Sequence, residues 1–307
     1  MRRVLTMKAR RRWAAACVAA GLVLCAAHQV GAQTSESQPV GLKTPHMEAD
    51  PSAEFLESGF RHLYDVDFTT AREDFLSYQK AHPEDPMGKA AEAASYLYEE
   101  FNTKGILTSA FFLNDARFLG GIEGDPRENR NDQFIATNHL AREMAKKGLE
   151  ADPHNAHDLL ILTITDGMES NYDALIEKKQ LAALSMMRQA ESEANTLLAI
   201  DPDAKDAYVA LGMSNYVIGC LPGYKKAFLW FGGVHGDRAR GIEQMTQAAE
   251  HGHYLQPFAK IMLALAYERE HHPEQARTLL TELTSQFPSN PHFAQELTIA
   301  NQRSEKR

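Results

Sequence analysis

Two short segments carry the pattern in this chain most suited to chemistry. Phe118-Leu119-Gly120-Gly121-Ile122-Glu123-Gly124-Asp125 and Trp230-Phe231-Gly232-Gly233-Val234-His235-Gly236-Asp237 share the pattern Gly-Gly-aliphatic-x-Gly-Asp. An arginine follows each, Arg127 in one and Arg238 in the other. Two readings fit these residues. In the first, the glycines permit positive φ in a tight turn, and the aspartate caps the next helix by accepting backbone N–H groups. In the second, exposed N–H groups at a helix start attract a small anion and the arginine grips its carboxylate. The candidate ligand- or partner-binding residues are therefore Gly120, Gly121, Gly124, Asp125, Arg127, Gly232, Gly233, Gly236, Asp237 and Arg238. No strand signal precedes either cluster, which excludes a dinucleotide fingerprint or a P-loop.

Other reactive types are sparse or badly spaced. His251 and His253 are two apart, and His271 and His272 are adjacent. Neither pair offers two ligands one helical turn apart, so no metal is assigned. The chain has no His-Glu-x-x-His run and no Gly-x-Ser-x-Gly elbow. Glu99-Glu100 and Glu191 with Glu193 read as solvated helix faces. Tyr96, Tyr98, Phe101, Phe111 and Phe112 recur at helical spacing and read as core. Cys220 lies in an apolar stretch and reads as a buried, inert thiol. No catalytic residue and no cofactor is assigned.

The elements that position these residues are helices with a recurring spacing. In the first unit, Phe55 opens a helix, Gly59 follows, Ala71 and Phe75 lie in a second helix, and Pro83 stops it. Near the C-terminus Ala264, Tyr267, Ala276, Leu280 and Pro288 keep those offsets, with Tyr267 at the place His62 holds in the first unit. Small residues at such places let two antiparallel helices approach to about 8–10 Å. Proline ends the second helix because it lacks the N–H that a further turn needs.

These residues resemble the tetratricopeptide repeat, of the kind found in exported bacterial proteins. The middle of the chain repeats the pattern more loosely, through Ala141, Ala145 and Pro153, then Ala190, Ala194 and Pro202, Leu211-Gly212, and Gly241, Met245 and Ala248. The step from Ala141 to Ala190 is longer than one period, which places an insertion at Asp166 to Glu177. Each glycine loop is expected to precede a helix that begins a unit. The stretch from Gly219 to Ala249 is also similar to one segment of a eukaryotic tetratricopeptide family linked to inclusion-body clearance. The resemblance implies an all-α fold: an α-solenoid of five or six antiparallel helix hairpins in a right-handed superhelix.

The ends of the chain read differently. Arg2, Arg3, Lys8, Arg10, Arg11 and Arg12 precede an apolar run from Trp13 to Ala27, and Val30-Gly31-Ala32 fits a cleavage site. Residues 1–32 are therefore expected to be an export signal, 33–50 a flexible leader, 51–300 the repeat domain and 301–307 a polar tail. A periplasmic or secreted location follows. An uncleaved anchor or a lipidated Cys25 is the alternative. Without the signal the chain has 26 basic and 41 acidic residues, a net charge of −15. That field disfavours nucleic acid and anionic lipid. The expected role is a non-catalytic scaffold that binds a protein or peptide on its concave face. Binding of a small anion by the glycine loops is the alternative.

Overall fold

A computed structural model describes residues 51–114, 117, 128–231 and 233–305. The expected signal and leader lie outside these residues. Among the described residues all regular structure is helical.

Five hairpins follow one another among the described residues. The first pairs α1 (Ala53–Tyr64) with α2 (Phe68–Ala81). The second pairs α3 (Pro86–Thr103) with α5 (Glu128–Ala151), with a short α4 (Ser109–Phe112) between them. The third is α6 (Ala156–Leu175) with α7 (Gln180–Ile200). The fourth pairs α8 (Tyr208–Cys220) with α10 (Arg238–His251), with α9 (Gly223–Phe231) between them. The fifth is α11 (Gln256–Arg269) with α12 (Pro273–Gln286), and α13 (Pro291–Glu305) packs on α12. The last helix thus runs into the segment 301–307 that the sequence marks as a polar tail. The chain is an all-α solenoid of neighbouring hairpins.

The repeat spacing works as steric logic predicts. A Cβ added to Gly59 would sit 2.4 Å from the Phe75 ring, so the absent side chain is what admits Phe75. Phe75 and Ala71 are wholly buried. Burying one such ring is worth about 1.5–3 kcal/mol. The expected opener is displaced by one residue: Phe55 is 42% exposed and Leu56 takes the core position.

Three connections between hairpins, and the connection from α12 to α13, share one turn. Pro83, Pro153, Pro202 and Pro288 each follow the first residue of a turn closed by a backbone bond of 3.1–3.2 Å: Asp85 N to His82 O, Asn155 N to Asp152 O, Ala204 N to Asp201 O, and Asn290 N to Phe287 O. Proline presets φ for this position. Asp85 and Asn155 then cap α3 and α6 through their side chains, each worth about 1 kcal/mol. The connection from α10 to α11 has no such proline. There the buried Asp206 carboxylate accepts the N–H groups of His253, Tyr254 and Leu255 at 2.7, 2.9 and 3.2 Å.

Two expectations about length and placement need correction. No loop interrupts Asp166 to Glu177, because α6 is continuous to Leu175. The surplus residues lengthen α6 and the first part of α7, helices of 20 and 21 residues. Helix tolerates the polar residues there because they are paired or lie half-exposed. The glycine loops do not open repeat units either. The helices after them, α5 and α10, are the second members of their hairpins, so both loops are insertions within a hairpin.

The concave face is also not an open groove, because the first and last hairpins meet. The Tyr64 hydroxyl donates to Tyr254 O at 2.9 Å, and Asn290 Nδ2 donates to Tyr64 O at 2.8 Å. Ser289 N donates to Asp65 Oδ1 at 3.2 Å, and the Phe60 ring stacks on Tyr254 at 4.8 Å. Tyr98 of α3 likewise packs on Phe258 of α11 at 5.6 Å. Apolar inner faces in contact with each other remove more surface from water than an open groove would.

Candidate functional site

The second glycine loop is described from Gly233 onward, and its geometry favours the structural reading. Gly233 has φ +75°, the left-handed conformation that suits glycine. Gly236 lies against the end of α8, where a Cβ would come within 2.6 Å of Gly219 N. Asp237 caps α10 by accepting Arg240 N at 2.9 Å. Arg238 is committed to Glu270 Oε1 at 3.0 Å, an oxygen that also accepts the Tyr216 hydroxyl at 3.2 Å. This loop therefore locks α8, α10 and α11 together, and its arginine already holds a carboxylate of the chain itself. Gly120, Gly121, Gly124, Asp125 and Arg127 of the first loop, and Gly232 of the second, lie outside the described residues.

Just before the second loop, α9 presents aromatic surface. Tyr224 is 74% exposed and Trp230 is 61% exposed. The Trp230 ring meets His235 edge-on at 6.3 Å. Large aromatics at such exposure are the groups that protein interfaces use most.

The inner faces of the hairpins line a second feature, a pair of half-open cavities. One cavity, of about 80 Å³, lies among α1, α3, α6, α7, α8 and Phe258. An adjoining one, of about 100 Å³, extends toward Phe111 and Phe112. Both are walled by Ser170, Asn171, Met187, Met213 and Phe258. Of the aromatics expected as core, Phe101, Phe111 and Phe112 are buried, whereas Tyr96 and Tyr98 are half-buried against the core; Tyr98, Phe101, Phe111 and Phe112 line this space.

Of the carboxylates read as solvated faces, Glu99 and Glu100 are partly buried and paired. Arg130 bonds Glu99 Oε1 and Glu100 Oε2, each at 2.7 Å, and Arg72 bonds Glu99 Oε2 at 2.9 Å. Between the second and third hairpins Arg142 pairs with Asp166 through Nε and with Glu169 through Nη1 at 3.1 Å. Glu193 faces the same cluster. Burial and the nearby negative charge of Asp166 push its carboxyl up to about 8. Burial likewise raises Asp166, and Arg142 opposes that rise. Arg142, Asp166 and Glu193 lie on three different helices, so spacing within one helix gave no sign of the cluster.

At the turn before α3, burial alone would raise Asp85. Hydrogen bonds from His157, Tyr78 and the Met87 N–H outweigh it and hold the carboxyl at about 2. His157 is raised in turn by its bond to Asp85, 2.7 Å long.

The remaining reactive groups are quiet. Cys220 is half-buried, and burial raises its thiol, which disfavours the nucleophilic thiolate. His253 pairs with Glu57 at 2.8 Å. Among the described residues no group of three or more His, Cys, Asp or Glu could hold a metal ion, and no helix is long and apolar enough to cross a membrane.

No known family matches the sequence, and no curated protein matches it either. Among solved structures, a thermophilic TPR protein of Thermus thermophilus is similar at 14% identity, over 81% of this chain and 98% of that one, with a TM-score of 0.43. The all-α solenoid architecture rests on the helix pairing itself and not on that likeness.

Proposed function

We infer that this protein is a non-catalytic interaction module, exported to the periplasm or beyond, that docks a protein partner through α9. The observation that carries this reading is the exposure of Tyr224 and Trp230 on a helix inserted into an otherwise regular hairpin. An insertion at that place adds surface without disturbing the stack, and aromatic side chains supply most of the energy where proteins meet. Closure of the inner face moves the docking surface outward from the concave side. The acidic balance of the chain directs it away from nucleic acid. Export rests on the N-terminal signal pattern, with cleavage after Ala32.

The test is crosslinking in the native host, identification of the captured protein, and reconstitution with that protein purified. A Tyr224→Ala, Trp230→Ala double variant is expected to lose at least tenfold in affinity, since hot-spot aromatics contribute about 2 kcal/mol or more. Equal binding by the double variant rejects α9 as the docking element. Detection of the uncleaved chain in the cytoplasm rejects export.

A further inference from the structure

We propose that the half-open inner face is a binding site for a small, uncharged, chain-like apolar molecule bearing one hydroxyl or carbonyl group. It is independent of the docking role given to α9.

Three observations point to a ligand. The first is the space itself. Two adjoining cavities of about 80 and 100 Å³ share walls, and those walls are mainly alanine, methionine and aromatic side chains. An apolar cavity of about 150 Å³ stays dry and takes up benzene. Two lobes of this size sharing a wall at Phe258 suit an unbranched chain that spans both better than a fused ring system. Met187 and Met213 at the junction have the flexible side chains that adapt to such a guest.

The second is Gly167, in the interior of α6 and on the cavity wall. Glycine weakens a helix relative to alanine. Elsewhere in this protein close packing accounts for it, as at Gly59 against Phe75. At Gly167 no atom lies within 4 Å of where a Cβ would sit. Packing does not require glycine there, and room for a guest does.

The third is Ser214 of α8. It is 1% exposed and lines the first cavity, and its Oγ has no hydrogen-bond partner among the described residues. A buried hydroxyl left without a partner is unfavourable, and a ligand hydroxyl or carbonyl would satisfy it. Among the described residues no lysine or arginine lines either cavity. A carboxylate head would therefore be buried without a countercharge, which selects a neutral head group.

Octan-1-ol, octane and octanoate at pH 8 are suitable probes. The protein is first stripped over a hydrophobic resin, and binding is followed by calorimetry and by the shift in melting temperature. The expected result is one saturable site for octan-1-ol, with octanoate bound at least about tenfold more weakly. Ser214→Ala should weaken octan-1-ol by about tenfold and leave octane unchanged, as loss of one buried hydrogen bond does. Gly167→Leu fills the cavity from its wall. It should abolish binding of both neutral probes while melting no lower than the parent. Absence of saturable octan-1-ol binding overturns the proposal, as does undiminished binding in Gly167→Leu. Octanoate bound as tightly as octan-1-ol refutes the neutral-head assignment, and octan-1-ol bound equally by Ser214→Ala refutes the role of Ser214.

Discussion

Glycine serves opposite ends at two places in this molecule. Where α8 crosses α10, Gly212 and Gly241 face each other. A Cβ on Gly241 would fall 2.6 Å from Tyr216 N and 2.8 Å from Gly212 O, and one on Gly212 would fall 2.8 Å from Met245 N. Backbone meets backbone there, and nothing larger than hydrogen fits. On the inner face of α6, Gly167 looks into space, with no atom inside 4 Å. The fourth hairpin is held by contact at its glycines, whereas the third leaves room at its glycine. One residue type therefore marks both a tight seam and an unfilled face.

Substitutions can break or sharpen this contrast. The largest effect is expected for Gly241→Ala, because the obstructing atoms are backbone and cannot step aside. A loss of about 3 kcal/mol, read from chemical denaturation, is expected. A loss below about 1 kcal/mol would mean that α8 and α10 can separate at little expense.

The next effect lies at the residue beside Gly167 in α6, where Asp166 meets Arg142 and Glu193. A Glu193 carboxyl near 8 in the folded state lies above its unfolded value of 4.5. The folded state therefore holds a proton that the unfolded state releases. Stability from this group is complete below about pH 4.5 and is lost as pH rises through 8. Glu193→Gln keeps the neutral form at every pH. It should gain about 2 kcal/mol over the parent at pH 9 and nothing at pH 4. Parallel stability curves across that range would contradict the buried, protonated carboxyl.

Gly167→Ala comes third and carries the opposite sign to Gly241→Ala. It should stabilise the protein by about 1 kcal/mol, because alanine favours helix and no neighbour obstructs it. The smallest effect is expected at Lys178, in the turn between α6 and α7, which holds φ 57°. Lys178→Gly should stabilise by about 0.5 kcal/mol at most, as relief of left-handed strain is partly offset by lost chain entropy. A clear loss of stability there would indicate that the lysine side chain holds the turn.

The parts of the fold legible in the sequence are those set by neighbours within one hairpin. Gly59, Ala71, Phe75 and Pro83 declare a close helix pair and its stop because small, large and helix-ending residues leave a periodic trace. Asp237 as a cap was legible for the same reason, since its partner is three residues away. The parts that stayed hidden depend on residues far apart in the chain. Asp206 bracing residues 253–255, and Tyr64 reaching Tyr254 across 190 positions, follow from the curvature of the whole stack. The surplus between Ala141 and Ala190 reads as one insertion at Asp166 to Glu177 when repeat length is counted and helix length is not. Arg238 looked available for an anion because Glu270, its partner, belongs to the next hairpin.

The claim on which the cavity and the outward docking surface both rest is that the first and last hairpins meet. Cysteines placed at 65 and 289, in a Cys17→Ser, Cys25→Ser, Cys220→Ser background, test it with a short bis-maleimide linker. Asp65 and Ser289 are joined by a hydrogen bond of 3.2 Å. The account predicts near-complete intramolecular crosslinking in the native protein and none after denaturation. Two thiols that each react singly with the linker in the native protein would show an open solenoid and contradict it.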